Sequence, residues 1–153
     1  MKPYMASLVT EENHILFQKI SQIIEALPDI DLGKDAKGRK VLVSCHMIVR
    51  GLARIFTEVE RHDGYFGKIM GHSWLTIKSD SRLIIDPYPV ALIGGPIMVH
   101  SGFFTVPWNR LYIEARLPYI GGQEFRRHVG VVTRALKKNR EGIVLQANAS
   151  ATN

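Results

Sequence analysis

Three residues of this sequence, Cys45, His72 and Asp86, have the side chains of a thiol-based catalytic triad. A thiolate attacks a carbonyl carbon, an imidazole takes and returns the proton, and a carboxylate holds the imidazole in one tautomer. Cys45 is the only cysteine of the chain. A single cysteine is more often a small buried hydrophobe, so the catalytic interpretation depends on the elements that position the three side chains.

Two strands joined by a short polar turn are predicted to bring His72 and Asp86 together. Apolar residues alternate at positions 75 and 77 and again at 83 and 85, and the cluster Lys78-Ser79-Asp80-Ser81 separates the two runs. If the turn centres on Ser79, residue 75 faces 83 and His72 faces Asp86. Directly opposed residues have Cβ atoms roughly 4.5–5.5 Å apart, which allows a hydrogen bond between imidazole and carboxylate. A structural histidine and an aspartate that starts a turn are the alternative interpretation of the same two residues.

An amphipathic helix is predicted to position the thiol. Ser44 is a good N-cap, and the helix should end at the run Arg61-His62-Asp63-Gly64. Cys45 lies on the apolar stripe of this helix, so its sulfur should face the sheet. A thiol at a helix N-terminus lies near the positive end of the macrodipole, which favours the thiolate. The other stripe residues are Ile48, Val49, Leu52, Phe56 and Val59.

The segments His72-Ser73-Trp74-Leu75 and Ile85-Asp86-Pro87, with Cys45 upstream at a helix start, resemble the transglutaminase-like branch of the papain-like superfamily. The resemblance covers roughly residues 40 to 117. The chain differs from that branch in three ways: the interval between Cys45 and His72 is short, His46 replaces the aromatic residue that often follows the cysteine, and no upstream Gln or Trp is obvious as an oxyanion donor.

This resemblance implies an α+β fold with helices packed on an antiparallel sheet, in a transglutaminase-like or papain-like core. It also implies a thiol hydrolase or acyltransferase that acts on an amide, in a peptide or isopeptide bond, of a peptide or protein substrate. Cys45, His72 and Asp86 would be its catalytic residues, and neither a cofactor nor a metal would be required. The sequence leaves open whether water or an amine accepts the acyl group.

Two tryptophans are candidate substrate contacts, Trp74 beside the predicted triad and Trp108 in the irregular stretch 91–109. A long irregular stretch next to a site is often a binding loop. The alternatives are that Trp74 forms a packing wall for the imidazole and that the rings of the loop cover the core.

Length and composition indicate a single domain over residues 1–145, followed by a flexible tail over 146–153. The sequence has no apolar run long enough for a membrane span and no signal-peptide pattern at its start. With one cysteine, these features favour a reducing, cytoplasmic location, although delivery by a specialised secretion system stays possible. The oligomeric state is not indicated.

A second hypothesis is a non-catalytic binding module on the same fold, which would bind an acidic protein or nucleic acid. The formal charge is +6 and the sequence pI is about 9.6. Many of the cations lie on a predicted last helix, whose buried face is expected to consist of Phe125, Val129, Val132 and Leu136. No nucleic-acid motif accompanies them, so nucleic acid is not the favoured partner. Basic residues on the outer face of this helix are Arg126, Arg127, Arg134, Lys137, Lys138 and Arg140.

Overall fold

The computed structural model describes residues 9–27, 30–67, 70–87, 97–100, 112–117 and 121–152. They form a five-stranded sheet of order β4-β3-β2-β1-β5 in which every pair of neighbours is antiparallel, together with three helices. The predicted α+β class is therefore confirmed. The elements in chain order are α1 (Glu11–Glu25), α2 (Cys45–Ile55), β1 (Val59–Phe66), β2 (Met70–Ile77), β3 (Asp80–Asp86), β4 (Ile97–His100), β5 (Tyr112–Glu114) and α3 (Gln123–Ala151).

The helices and one face of the sheet enclose the main apolar core. Helix α2 contacts β1, β2 and α3, and α1 contacts α3. The approach of α2 to α3 is close at Gly51, where an added Cβ would lie 2.7 Å from the side chain of Leu136. This packing fixes the start of α2 against the sheet. The buried residues of the core include Ile20, Ile23, Val49, Leu52, Leu75, Ile77, Leu83, Ile85, Val132 and Leu136.

The β2–β3 hairpin is present, but its predicted register is wrong by two residues. Leu75 pairs with Ile85, not with residue 83, because the pairing shifts between Thr76 and Ile77: Ile77 pairs with Asp80, whereas Thr76 already pairs with Ile84. Side chains alternate along a strand, so a shift of two residues leaves every side chain on its original face. Leu75 and Ile85 consequently stay in the core.

Helix α2 ends earlier than predicted, at Ile55, and Phe56 is already extended. Val59, expected on the helix stripe, instead begins β1 and pairs with Ile77. The run 61–64, expected to terminate the helix, lies inside this strand. Pairing with β2 along eight residues outweighs the turn-like composition of the run.

Several boundaries also differ nearer the C-terminus. Strand β4 lies within the stretch expected to be irregular, while Trp108 lies outside the described residues. Helix α3 continues through Ala151, so residues 146–151 are helical where a flexible tail was predicted. Alanine and glutamine favour helix, and neither glycine nor proline interrupts this segment. No helix in the described ranges is both long and apolar enough to cross a bilayer.

Candidate active site

Cys45 is the first residue of α2 and lies where this helix meets β2. Ser44 caps the helix by accepting a hydrogen bond from the Met47 backbone N–H at 3.4 Å. Hydrogen bonding by the imidazoles of His46 and His72 and by the backbone N–H of Ser73 acts to lower the pKa of this thiol. Burial raises the pKa of the thiol, but these hydrogen bonds together outweigh burial and lower the pKa to about 6. The thiol is therefore largely ionised at neutral pH.

His72 and Asp86 form a buried pair on the sheet face opposite the main core. His72 Nε2 lies 2.7 Å from Asp86 Oδ2, and the two residues are 2% and 0% exposed. Burial lowers the pKa of His72, but the hydrogen bonds to Asp86 and Cys45 raise it, to about 9 in all. With Nε2 bound to the carboxylate, Nδ1 is the ring nitrogen that serves the thiol.

The two side chains meet diagonally across the hairpin. Continuing the observed register puts Asp86 opposite Trp74, two residues from His72 on the same face. Diagonal neighbours of this kind lie roughly 7–8 Å apart at their Cα atoms, which long side chains can bridge. The sequence thus predicts this contact correctly although the register it assumes is wrong.

Aromatic rings enclose the His72–Asp86 pair. Tyr112 donates a hydrogen bond from its hydroxyl to Asp86 Oδ2 at 2.8 Å, and burial together with the adjacent carboxylate raises the pKa of Tyr112. Phe66 lies edge-on to the His72 ring, with centroids 5.9 Å apart. Trp74 stacks on the other side at 6.3 Å and contacts Tyr112. These rings keep water from the ion pair, which strengthens it.

Trp74 is 4% exposed and therefore offers little surface to a substrate. Trp74 also stacks on His62, with ring centroids 6.0 Å apart. These contacts among the described residues favour the alternative in which Trp74 packs against the imidazole and does not bind substrate. The other proposed substrate contact, Trp108, lies outside the described residues, as does most of the loop that carries it.

A second polar network, which sequence reasoning missed, lies on the other face of the sheet from His72 and Asp86, and its His46 also lowers the pKa of the Cys45 thiol. His46 Nδ1 lies 2.6 Å from Ser73 Oγ, and Ser73 Oγ donates to Asp63 Oδ1 at 2.5 Å. Arg50 binds both Asp63 oxygens at 3.0 Å. Burial raises the pKa of Asp63, but hydrogen bonds from Arg50 and Ser73 and the charges of Arg50 and Arg61 lower it overall. Asp63 is therefore an ionised acceptor.

The sequence carries two signals for this network. His46 follows Cys45, and Ser73 follows His72, so polar residues adjoin both predicted catalytic residues. Asp63 gives no such signal, because its segment resembles a helix end rather than a strand that faces α2. Arg50 is hidden likewise, since a buried arginine within an apolar helix is recognised only through its partner.

A small cavity of about 160 Å³ is lined by residues of α2, β1 and β2 that include His46 and Asp63 but not Cys45. His46 and Asp63 line it at one end, and Leu117, which is exposed, lies at its rim. A larger cavity of about 510 Å³ lies between α1 and the β2–β3 turn, and its lining includes no residue of the site. The small cavity is therefore the one of the two that residues of the site line. Its other lining residues are Gly64, Tyr65, Gly71 and Ala115.

In chemical terms, the described residues combine an ionised thiol with two imidazoles that lower its pKa. A buried carboxylate orients each imidazole: Asp86 binds His72 directly, and Asp63 acts on His46 through the Ser73 hydroxyl. Among the residues that the structure describes, no group of three or more His, Cys, Asp or Glu side chains is placed to hold a metal ion. The arrangement suits attack on an electrophilic carbon.

Comparison with models of protein families, with curated proteins and with solved structures gives no match for this chain. The functional argument therefore depends on the site itself.

Proposed function

We propose that the protein is a thiol acyltransferase or hydrolase that cleaves an amide, in a peptide or isopeptide bond, through Cys45, His72 and Asp86. One observation supports this most strongly: His72 Nε2 lies 2.7 Å from the fully buried Asp86, and the same imidazole is one of the groups that lower the pKa of the Cys45 thiol at the start of α2. Structural cysteines in apolar surroundings have a raised pKa. The pKa of Cys45 is instead lowered to about 6.

The first half-reaction follows from this ion pair. The Cys45 thiolate attacks the carbonyl carbon, a carbon–sulfur bond forms, and the carbonyl oxygen becomes an oxyanion. His72 Nδ1–H then gives its proton to the leaving amine as the carbon–nitrogen bond breaks. Asp86 accepts a hydrogen bond from His72 Nε2–H throughout this step, so Nδ1 stays the nitrogen that exchanges the proton with the reactants. The product of this step is a thioester on Cys45.

The oxyanion needs hydrogen-bond donors near the sulfur. The backbone N–H of Cys45 belongs to the first turn of α2, whose N–H groups point out of the helix and carry its positive partial charge. Donors of this kind are worth roughly 10²–10³ in kcat. The second half-reaction then transfers the acyl group to water or to an amine, with hydrolysis as our favoured outcome.

The order of the elements supports a transglutaminase-like or papain-like core as part of this proposal. The cysteine begins a helix, and the histidine and aspartate follow on adjacent antiparallel strands. A free, ionised thiol also suits a reducing compartment such as the cytoplasm. The proposed substrate is a peptide or protein segment.

Intact-protein mass spectrometry after incubation with a short peptide thioester and with the matching peptide amide tests the proposed function. We expect one acyl group on the wild type, located on Cys45, and cleavage of the amide. Cys45→Ala, with its fold checked by circular dichroism, should give neither product. Equal turnover by Cys45→Ala, or a wild type that neither carries the acyl group nor cleaves the amide, would contradict the proposal.

One observation favours a second candidate, a binding module for an acidic protein or nucleic acid. The outer face of α3 exposes a row of cations, Arg126, Arg127, Arg134, Lys137 and Lys138. Binding through such a row should weaken steeply with salt and should be unchanged by Cys45→Ala. Retained binding in that variant, without any thiol chemistry in the wild type, would favour this function.

A further inference from the structure

We propose that Tyr112 is a positioning residue of the site, whose hydroxyl holds the Asp86 carboxylate and limits the attraction of this carboxylate for the His72 proton. This inference rests on the proposed function and adds a residue of β5 to the triad of Cys45, His72 and Asp86. Two observations carry it: two donors meet on one carboxylate oxygen, and the tyrosine ring that supplies one of them is held from several sides.

One oxygen of Asp86 accepts from both donors. His72 Nε2 lies 2.7 Å from Asp86 Oδ2, and the Tyr112 hydroxyl donates to the same oxygen at 2.8 Å. Burial and the adjacent carboxylate raise the pKa of Tyr112, so the hydroxyl keeps its proton at neutral pH and stays a donor. A donor to a carboxylate stabilises the charged form of that carboxylate. The negative charge that Tyr112 binds is therefore shared between the hydroxyl and the imidazole.

Packing holds the Tyr112 ring in place. Phe66, the strand partner of Tyr112 on β1, meets the ring edge-on with centroids 5.2 Å apart, and Trp74 does so at 5.4 Å. The His72 ring lies 6.2 Å away. In the sheet, β1 and β2 separate β5 from β3, so the hydrogen bond to Asp86 spans two intervening strands. The hydroxyl is thus fixed toward Asp86 before any reactant binds, which is the arrangement expected of an outer-shell positioning group.

Two anions hold the His72 proton. Burial lowers the pKa of His72, but the hydrogen bonds and charges of Asp86 and Cys45 raise it, to about 9 in all. Acylation turns Cys45 into an uncharged thioester, so Asp86 is the one of these two anions that remains in the acyl-enzyme. The proton affinity of His72 in the second half-reaction then depends on Asp86 and on how much of its charge the Tyr112 hydroxyl binds.

The other titratable side chains on this face pair with each other. His62 Nδ1 lies 2.8 Å from Glu114 Oε1, and Trp74 stacks on both His62 and His72. Among the described residues, this pair is not one of the groups that raise the pKa of His72. A change at Tyr112 is therefore expected to reach His72 through Asp86.

The second half-reaction needs His72 as a base. The oxygen of water, or the nitrogen of a neutral amine, attacks the thioester carbon and gives one proton to His72 Nδ1. The carbon–sulfur bond breaks, and the products are a carboxylic acid or an amide, the Cys45 thiolate and the His72 imidazolium. An imidazole with a pKa far above 7 is mostly protonated at neutral pH and cannot take this proton. A donor that binds part of the Asp86 charge therefore favours turnover.

The test variant is Tyr112→Phe, which keeps the ring and removes only the hydroxyl. The first measurement is an NMR titration of the His72 ring in the resting protein, which needs no activity. The second starts from Cys45 acetylated with p-nitrophenyl acetate and, after removal of the reagent, follows loss of the acetyl group by intact mass at a series of pH values. The matched control is Tyr65→Phe, because Tyr65 is exposed and pairs with Ile113, so it lies on the other face of the sheet from Tyr112. Circular dichroism and the urea midpoint of each variant show whether the fold is retained.

In Tyr112→Phe we expect His72, whose pKa is about 9 in the wild type, to titrate about one pH unit higher, because hydrogen bonds to charged groups are the stronger ones. Loss of the acetyl group at pH 7 should be about tenfold slower, since about tenfold less of the imidazole is then neutral. The whole curve of rate against pH should move to higher pH, and its plateau should stay within about threefold of the wild type. Tyr65→Phe should match the wild type in both measurements.

Three other outcomes overturn the role of Tyr112. An unchanged titration and an unchanged rate curve would mean that the hydroxyl does not act on the pair. A slower rate at every pH, with the His72 titration unmoved, would mean that Tyr112 only shapes the site. A titration that moves to lower pH would mean that the hydroxyl strengthens the attraction of Asp86 for the His72 proton. A wild type that takes no acetyl group on Cys45 would contradict the proposed function instead, and the titration of His72 would still decide whether Tyr112 acts on Asp86.

Discussion

Removal of His72 should move the ionisation of Cys45 upward in pH. The thiol pKa is about 6, against 9.0 for an unperturbed thiol. At pH 7 a thiol with a pKa of about 6 is roughly 90% thiolate, and one with a pKa of 9.0 is about 1% thiolate. A complete loss of the perturbation would therefore slow alkylation near neutral pH by about 90-fold at most. His72→Ala should fall short of this limit, because the His46 ring and the Ser73 N–H still bind the sulfur.

The rate of iodoacetamide alkylation, measured against pH, tests this reasoning. In the wild type the rate should rise as pH increases through about 6, and it should change again through about 9, where His72 loses its proton. In His72→Ala the first inflection should lie at higher pH. Above both inflections this variant should react at least as fast as the wild type, since a more basic thiolate is the better nucleophile.

Asp86→Asn is the matched comparison for this experiment. Its side-chain oxygen can still accept from His72 Nε2–H, but the negative charge that raises the pKa of His72 is lost. We therefore expect a smaller slowing than in His72→Ala. Cys45→Ala should take up no label at the site. Identical pH profiles in the wild type, His72→Ala and Asp86→Asn would refute the thiolate–imidazolium pair.

Two further predictions concern stability, each measured by urea unfolding. Arg50→Met removes the buried guanidinium that binds both Asp63 oxygens and leaves only the more exposed Arg61, whose Nε lies 3.6 Å from Asp63 Oδ2. This change should cost about 3 kcal/mol, with much of the loss recovered when Asp63→Leu is added. A loss below about 1 kcal/mol would contradict the buried pair. Gly64→Ala places a Cβ 2.0 Å from the Ile113 backbone oxygen, so β5 must move from β1 and stability should fall by more than about 1 kcal/mol. Gly71→Ala is its control, since a Cβ there meets nothing within 4 Å; equal effects of the two would argue against this contact.

The sequence predicts which residues of the hairpin share a face more reliably than which residues pair. Leu75 and Ile85 are buried in the core as their alternation indicates, while the pairing between them depends on the turn and on the irregularity beside Ile77. The predicted and the observed registers differ by two residues, and a shift of two residues keeps every side chain on the same face of the sheet. For this reason His72 and Asp86 meet even though the opposed positions were assigned incorrectly.

Long-range polar contacts explain why the rest could not be predicted. The run that contains Asp63 has the composition of a helix end, and only its pairing with β2 makes it a strand. Once it is a strand, Asp63 lies opposite Ser73 and faces Arg50 on α2. Local propensity contains no information about that pairing, because the partner is supplied by another element. Asp63 and Arg50, which complete the network of His46, are therefore recognised only from the fold.

The alternation of side chains along β2 explains how one sulfur receives two imidazoles. His72 and Ser73 are consecutive, so they point to opposite faces of the sheet. His72 contacts Asp86 on the outer face, while Ser73 contacts His46 and Asp63 on the face toward α2. The Ser73 backbone N–H lies between the two networks and binds the sulfur itself. A slip of β2 by one residue would exchange the two faces and break both networks at once, so correct pairing of this strand with β1 and β3 and the formation of the site are a single event.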